Sequence, residues 1–249
     1  DEVVRIVNSY GIVVNTGLIL GFDGESADSA RKMLEMVEKT GAFPTLVLLL
    51  HALPGTALSR RMAKEGRLFR EGVLENPDDD RTDTATSGLN FVTQRPRVEI
   101  LRDMADVLEK IYDPKNHYAR VDLTARQLKT AKKFRAPARR LLQIAFALKD
   151  VLRLVGLDRE TRPYFWKSLA RTLLTNPGAL EATVGSAVMN ANYAQNSKSY
   201  VAALREQLAH IEKVGEPEFN RAMLGAVPRS RVAQVAAPPA ARPSAGLRH

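Results

Sequence analysis

Cysteine is absent from the 249 residues. The chain therefore makes no disulfide, builds no thiolate zinc site and holds no iron–sulfur cluster through cysteines of its own. Long apolar runs are missing as well. None approaches the ~18 residues of a membrane span, and no secretory-type leader is read in the sequence. Aromatic residues make up only 6% of the chain, with a single tryptophan. These absences fit a cytoplasmic setting, with association at a membrane surface left open.

What is present is an ordinary apolar content of 45%, enough for a packed core, and an uneven charge. Residues 1–118 hold 15 Lys/Arg and 19 Asp/Glu, a net of −4; residues 119–249 hold 22 and 9, a net of +13. Such asymmetry suggests two modules and a basic face that meets an acidic partner.

The organising stretch is 12–58. Ile12-Val-Val-Asn-Thr-Gly-Leu-Ile-Leu-Gly21 and Pro44-Thr-Leu-Val-Leu-Leu-Leu50 are apolar runs that each end in a glycine turn and a helix. Between them, Ala30, Met33, Leu34 and Val37 fall on one face of a helix expected over 27–40, capped by Asp23 or Ser26 and closed by Gly41. Strand, helix, strand, helix predicts an α/β fold with a parallel sheet whose strands, at 12–20 and 45–50, are buried on both faces. Chemistry in such sheets sits where strands end, which directs attention to Gly21–Glu25 and His51–Thr56. Gly17 and Gly21 leave room for a group to approach the backbone. His51 is a candidate acid/base or ligand, weighed against a hydrogen-bonded histidine under the rim. Leu53-Pro-Gly-Thr56 is a turn with Thr56 as helix cap. Asp1-Glu-Val-Val-Arg-Ile-Val-Asn reads as the middle of a helix, and two strands alone make no stable buried sheet, so the C-terminal part of a longer protein, or a truncated gene product, is expected.

Residues 70–95 form a long polar connection. Its Asp78-Asp79-Asp80 run lacks the alternation of a metal loop and reads as solvated. A helix is expected from Pro96 to Ile111, and a second from Asn116, with His117 and Tyr118 structural. From 124 to 213 the chain is helical and basic, with Lys129, Lys132, Lys133, Arg135, Arg139 and Arg140 clustered. Leu141 through Val155 forms a wide apolar face, Pro163 opens a helix that Asn176-Pro-Gly breaks, and 178–213 reads as one long helix. Tyr164, Phe165 and Trp166 are read as core or interfacial packing, or as an anchor at a membrane surface. The Ala/Pro/Arg-rich 226–249 is expected to be a disordered tail.

Gly17-Leu-Ile-Leu-Gly21 with Glu25 resembles the fifth-strand glycine motif of radical S-adenosylmethionine (SAM) enzymes, and Ala52-Leu-Pro-Gly-Thr-Ala-Leu58 resembles their sixth-strand motif. Ser87-Gly-Leu-Asn-Phe-Val-Thr93 and Tyr112-x-Pro-x-x-x-Tyr118 are similar to segments of the B12-binding group that includes the hopanoid methylases. The resemblance implies that 1–118 is the end of a partial (β/α) barrel, 119–225 an all-α domain of unknown function, and 226–249 the tail. It further implies SAM, a [4Fe–4S] cluster and cobalamin in a full-length parent. SAM would be cleaved reductively to a 5′-deoxyadenosyl radical, with methyl transfer through cobalamin. Gly17, Ile19, Gly21, Glu25, His51, Ala52 and Leu53 are the implied cofactor-binding positions, and Asn90 the residue facing substrate. The cluster loop Cys-x-x-x-Cys-x-x-Cys and a cobalamin domain are absent, so the chain alone is expected to be inert and to need the remaining part of the same protein. A small-molecule or lipid substrate fits this reading. A basic helical module binding a membrane surface or nucleic acid is the alternative, with nucleic acid disfavoured because no sheet surface presents the aromatics.

Overall fold

The computed structural model describes residues 2–69, 88–129 and 151–225. Helix α1 (Glu2–Ser9) leads through Gly11, at φ 81°, to strand β1 (Thr16–Leu20). Helix α2 (Ser29–Thr40) returns the chain to β2 (Thr45–Leu49), and α3 (Ala57–Lys64) follows. The remaining described elements are helical. They are α4 (Arg97–Tyr112), α5 (Pro114–Gln127), a π-helical turn (Leu152–Gly156), α6 (Arg162–Thr175), a short 3-10 turn (Pro177–Ala179), α7 (Leu180–Val214) and α8 (Glu216–Leu224). The protein is thus mostly helical, with a two-stranded parallel sheet in register from Thr16↔Thr45 to Leu20↔Leu49.

The helix signals of the sequence act as physical chemistry requires. Gly41, at φ 70°, closes α2 by donating its N–H to the Val37 carbonyl at 3.0 Å. Thr56 caps α3, its hydroxyl accepting from the Ser59 N–H at 3.2 Å. Asp113 accepts from the Asn116 N–H at 3.0 Å, with Pro114 in the first helical position, so α5 starts two residues before the expected Asn116. The caps expected for α2 are not used. That helix begins at Ser29, Ser26 donates to Asp28, and Asp23 is engaged elsewhere.

Two expectations for the strands are corrected. β1 begins at Thr16 rather than Ile12, because the ladder opens only where Thr16 N–H reaches the Pro44 carbonyl. Nor is the sheet covered on both faces. Leu18, Leu20, Val47 and Leu49 are buried, whereas Gly17 and Ile19 are exposed and Leu46 and Leu48 half-buried. The covered face meets Val37 of α2 and the stripe Ile100, Leu101, Met104, Val107, Leu108 and Ile111 of α4. The far half of α7, through Val201, Leu204, Leu208 and Ile211, and Phe219 of α8 complete the same core. Each such side chain contributes roughly 1.5–3 kcal/mol on burial. A second cluster gathers Tyr118, Val151, Val155, Phe165 and Ala187 where α5, α6 and α7 meet.

Among the described residues no helix is long and apolar enough to cross a membrane. Expectations for 70–87, for Lys132 to Leu148 and for the tail at 226–249 lie outside the described residues.

Candidate functional site

The C-terminal ends of β1 and β2 lie side by side, with Leu50 N–H extending the ladder to the Leu20 carbonyl at 2.8 Å. Gly21 leaves β1 at φ 104°, a conformation that disfavours a side chain. Its N–H is accepted by Oε2 of Glu25 at 2.8 Å, so the carboxylate holds its own turn closed. Burial raises the Glu25 carboxyl above its ordinary range; the Gly21 bond and the charge of Arg95 pull against that rise.

Asp23 extends from this turn to α3 and beyond. Its carboxylate accepts from Arg67 through both oxygens, at 2.7 and 2.9 Å, and from Arg61 at 2.7 Å. The Arg67 bonds hold the Asp23 carboxyl below the usual range. Arg67 Nε donates to the Val92 carbonyl at 2.7 Å, which ties the turn to the segment 88–92.

That segment is a strap across the strand ends. Phe69 N–H reaches the Asn90 carbonyl at 2.9 Å, and Val92 N–H reaches the Arg67 carbonyl at 2.8 Å. Leu89, at φ 58°, places its side chain where a Gly21 Cβ would sit, 2.3 Å from that position. The group that approaches Gly21 is therefore part of the same chain. At Gly17 nothing lies within 4 Å of a built Cβ, and the approach is open.

Asn90 accepts from the Ala52 N–H at 2.7 Å and donates to the Ala52 carbonyl at 3.1 Å. Its carboxamide acts as a one-residue strand partner for the exit of β2. The Asn90 amide nitrogen also lies 3.4 Å from His51 Nε2. Ala52 is buried while Leu53 is exposed. The residues singled out in the sequence thus converge in two groups. Gly21 and Glu25 share one turn; His51, Ala52 and Asn90 share the other. Gly17 and Ile19 stand apart, on the open face of the sheet.

Arg97 was not anticipated. It is fully buried in the first turn of α4, where Nη2 donates to the carbonyls of Leu89 and Phe91, the latter at 2.8 Å. Its guanidinium lies 5.0 Å from the Phe69 ring centroid and 5.4 Å from that of Phe219. Its backbone N–H donates to Glu216 at 2.7 Å. Burial lowers the guanidinium to about 10. The signal was in the sequence, because Arg97 is in helical register with the apolar Leu101, Met104 and Leu108.

Among the described residues no group of three His, Asp or Glu could hold a metal, and the chain has no cysteine. A [4Fe–4S] cluster therefore does not fit the residues of this chain. The open face does fit a flat apolar group: Gly17 bares the backbone and Ile19 is 37% exposed beside it.

The family model described as "Domain of unknown function (DUF4070)" matches residues 56–206. The chain belongs to that family. It is 29% identical over 215 residues to an uncharacterized methyltransferase of Synechocystis sp. (strain ATCC 27184 / PCC 6803 / Kazusa), covering 84% of this chain and 37% of that protein. It is 27% identical over 178 residues to the hopanoid C-2 methylase of Rhodopseudomonas palustris (strain TIE-1), covering 70% of this chain and 31% of that one. The chain thus spans about a third of the length of these relatives. No solved structure matches it.

Proposed function

We propose that this chain is part of a B12-binding radical SAM enzyme of the methyltransferase type. The observation that carries the reading is the convergence of both glycine-turn motifs at adjacent parallel strand ends, in a chain whose relatives are named as methyltransferases. Residues 1–118 are then the end of the barrel, and 119–225 the helical domain packed on it. The uncovered face with Gly17 and Ile19 is the inner wall, where the adenosine of SAM would lie.

In this reading SAM supplies the reactive group, and a cluster and cobalamin are held by the rest of the protein. The chain's own residues bind and orient. Ile19 and the bare backbone of Gly17 offer apolar contact to the base. Glu25 fixes the Gly21 turn. Asn90 holds the exit of β2 so that the backbone at His51, Ala52 and Leu53 stays where the adenine edge would be read. His51 and Asn90 are the polar groups nearest a substrate entering from the mouth.

The test begins with the gene upstream of Asp1. It should encode Cys-x-x-x-Cys-x-x-Cys in frame, behind a cobalamin-type α/β domain. The full-length protein, reconstituted with cluster and cobalamin, should release 5′-deoxyadenosine from SAM, and the 249-residue chain should not. A reconstituted full-length protein that leaves SAM intact, or SAM cleavage by the chain alone, would sink the proposal.

A further inference from the structure

Helix α6 carries apolar residues on two sides, with Tyr164, Phe165 and Leu169 packed in the second cluster. Its inner face carries Phe165, but also Ser168 and Thr172, which are buried against polar partners. Ser168 donates to Asp122 at 2.5 Å, and Thr172 meets the Thr183 hydroxyl at 3.2 Å. The opposite face holds Trp166, Ala170, Leu173 and Leu174 at the i, i+4, i+7, i+8 spacing of one stripe. Leu173 is 56% and Leu174 84% exposed. The Trp166 indole N–H donates to the Gly156 carbonyl at 3.0 Å, pinning the ring beside the π-helical turn. That turn and the residue after it add Leu154 and Leu157, both exposed.

The rim of this patch is basic. Arg153, Arg159, Arg162 and Lys167 are exposed, and none is ion-paired among the described residues. Two acids lie nearby; Glu160 is ion-paired and Asp158 stays charged, so the four cations leave the rim net positive. Asp158 accepts the N–H groups of Glu160 and Thr161, and Glu160 pairs with Lys198 at 3.2 Å.

We infer that the face formed by α6 and the π-helical turn docks on the surface of an anionic lipid bilayer. Trp166, Leu173 and Leu174 enter the headgroup–acyl boundary, and the arginines and Lys167 lie at the phosphates. Aliphatic side chains, an indole fixed by its own hydrogen bond and long basic stems that can snorkel are the combination that suits such a boundary. A second copy of the chain suits the face poorly, since dimerisation through it would set two rims of four cations against each other. Nucleic acid would leave the leucines in water. The inference does not depend on the chemistry proposed above.

The test uses the full-length parent for sedimentation and the 249-residue chain, its fold checked by circular dichroism, for emission, with vesicles of phosphatidylglycerol mixed with phosphatidylcholine; a parent that does not sediment overturns the inference. Trp166 is the sole tryptophan, so its emission reports on this face alone. Anionic vesicles should shift that emission to the blue and carry the parent down on sedimentation. Phosphatidylcholine alone should do so weakly, and rising salt should release both proteins. Leu173→Ser with Leu174→Ser should cut partitioning at least about tenfold. Arg162→Gln and Lys167→Gln should each weaken binding to anionic vesicles about fivefold. All four positions are exposed, and circular dichroism checks that the variants fold. Sedimentation without an emission shift, or binding unchanged in the leucine pair, places the contact elsewhere and overturns the inference. An emission that shifts with protein concentration in the absence of lipid overturns it in favour of a protein–protein face.

Discussion

His117 should make the protein acid-labile well above the range where its carboxylates titrate. The imidazole is 4% exposed and packs edge-on against Phe43 and Tyr118, with centroids 6.3 and 5.1 Å away. Its Nε2 has no hydrogen-bond partner, and the neighbouring Arg120 is a cation. Burial first, and Arg120 second, push His117 from 6.5 down to about 3. The folded state therefore keeps this ring neutral while the unfolded chain protonates it below pH 6.5. Between pH 6.5 and about 3 the unfolded state binds the extra proton, so stability falls as pH falls through that window. The slope approaches about 1.4 kcal/mol per pH unit, which gives a loss of about 2–3 kcal/mol by pH 4.5. Against a total of ~5–15 kcal/mol for a typical domain, that is easily read in a urea midpoint. His117→Phe keeps an aromatic ring among the same neighbours and removes the titration. Its midpoint should lose that decline from pH 6.5 to 4.5, and the raised Glu25 carboxyl, which acts with the opposite sign in both proteins, cancels in the comparison. Asp23, Asp28 and Asp158, with lowered pKa values, lose their contributions only below about pH 4. Parallel pH profiles for wild type and His117→Phe would falsify the assignment.

Three further substitutions probe the strand-end site. Gly21→Ala combines a φ of 104° with a Cβ 2.3 Å from Leu89 Cδ2. It should cost about 2 kcal/mol or more, and a cycle with Leu89→Ala should be non-additive in thermal melts. Asn90→Asp keeps the acceptor for Ala52 N–H but sets a carboxylate against the Ala52 carbonyl. A loss of about 1–3 kcal/mol in urea unfolding is expected, along with faster amide exchange at Ala52. Arg97→Met leaves the Leu89 and Phe91 carbonyls buried without their donor, at about 2–4 kcal/mol; unchanged stability would show that these bonds do no more than offset the burial of the charge.

How much of this was legible depends on how local the deciding physics is. The strands, the α2 closure at Gly41 and the Thr56 cap were readable because each rests on residues within a turn of one another. The start of β1 was not, since Ile12–Asn15 look like the residues that follow, and only the register with β2 separates them. Burial of both sheet faces was inferred from unbroken Val and Leu, but composition cannot say what covers a face, and Gly17 and Ile19 are open. Tyr164-Phe165-Trp166 read as one aromatic set, yet the helix divides it, with Phe165 inside and Trp166 outside. Asp23 read as a cap because its partner lies 44 residues away in Arg67, and such a pair leaves no periodic trace.

Besides the shared apolar core, Arg97 links the strand ends to α8. Asn90 positions the exit of β2, and its neighbours Leu89 and Phe91 are fixed by the Arg97 guanidinium. Arg97 is enclosed by Phe69 and Phe219 and tied through its backbone to Glu216 of α8. Its Nε and Nη1 make no hydrogen bond, so the charge is retained against a real desolvation cost. Both carbonyls accept from the same Nη2, a single nitrogen that bridges a segment whose Leu89 stands at positive φ. The family match, residues 56–206, takes in the strap and Arg97 but ends before Glu216 and Phe219 of α8. The helical region is then part of what shapes the strand-end site.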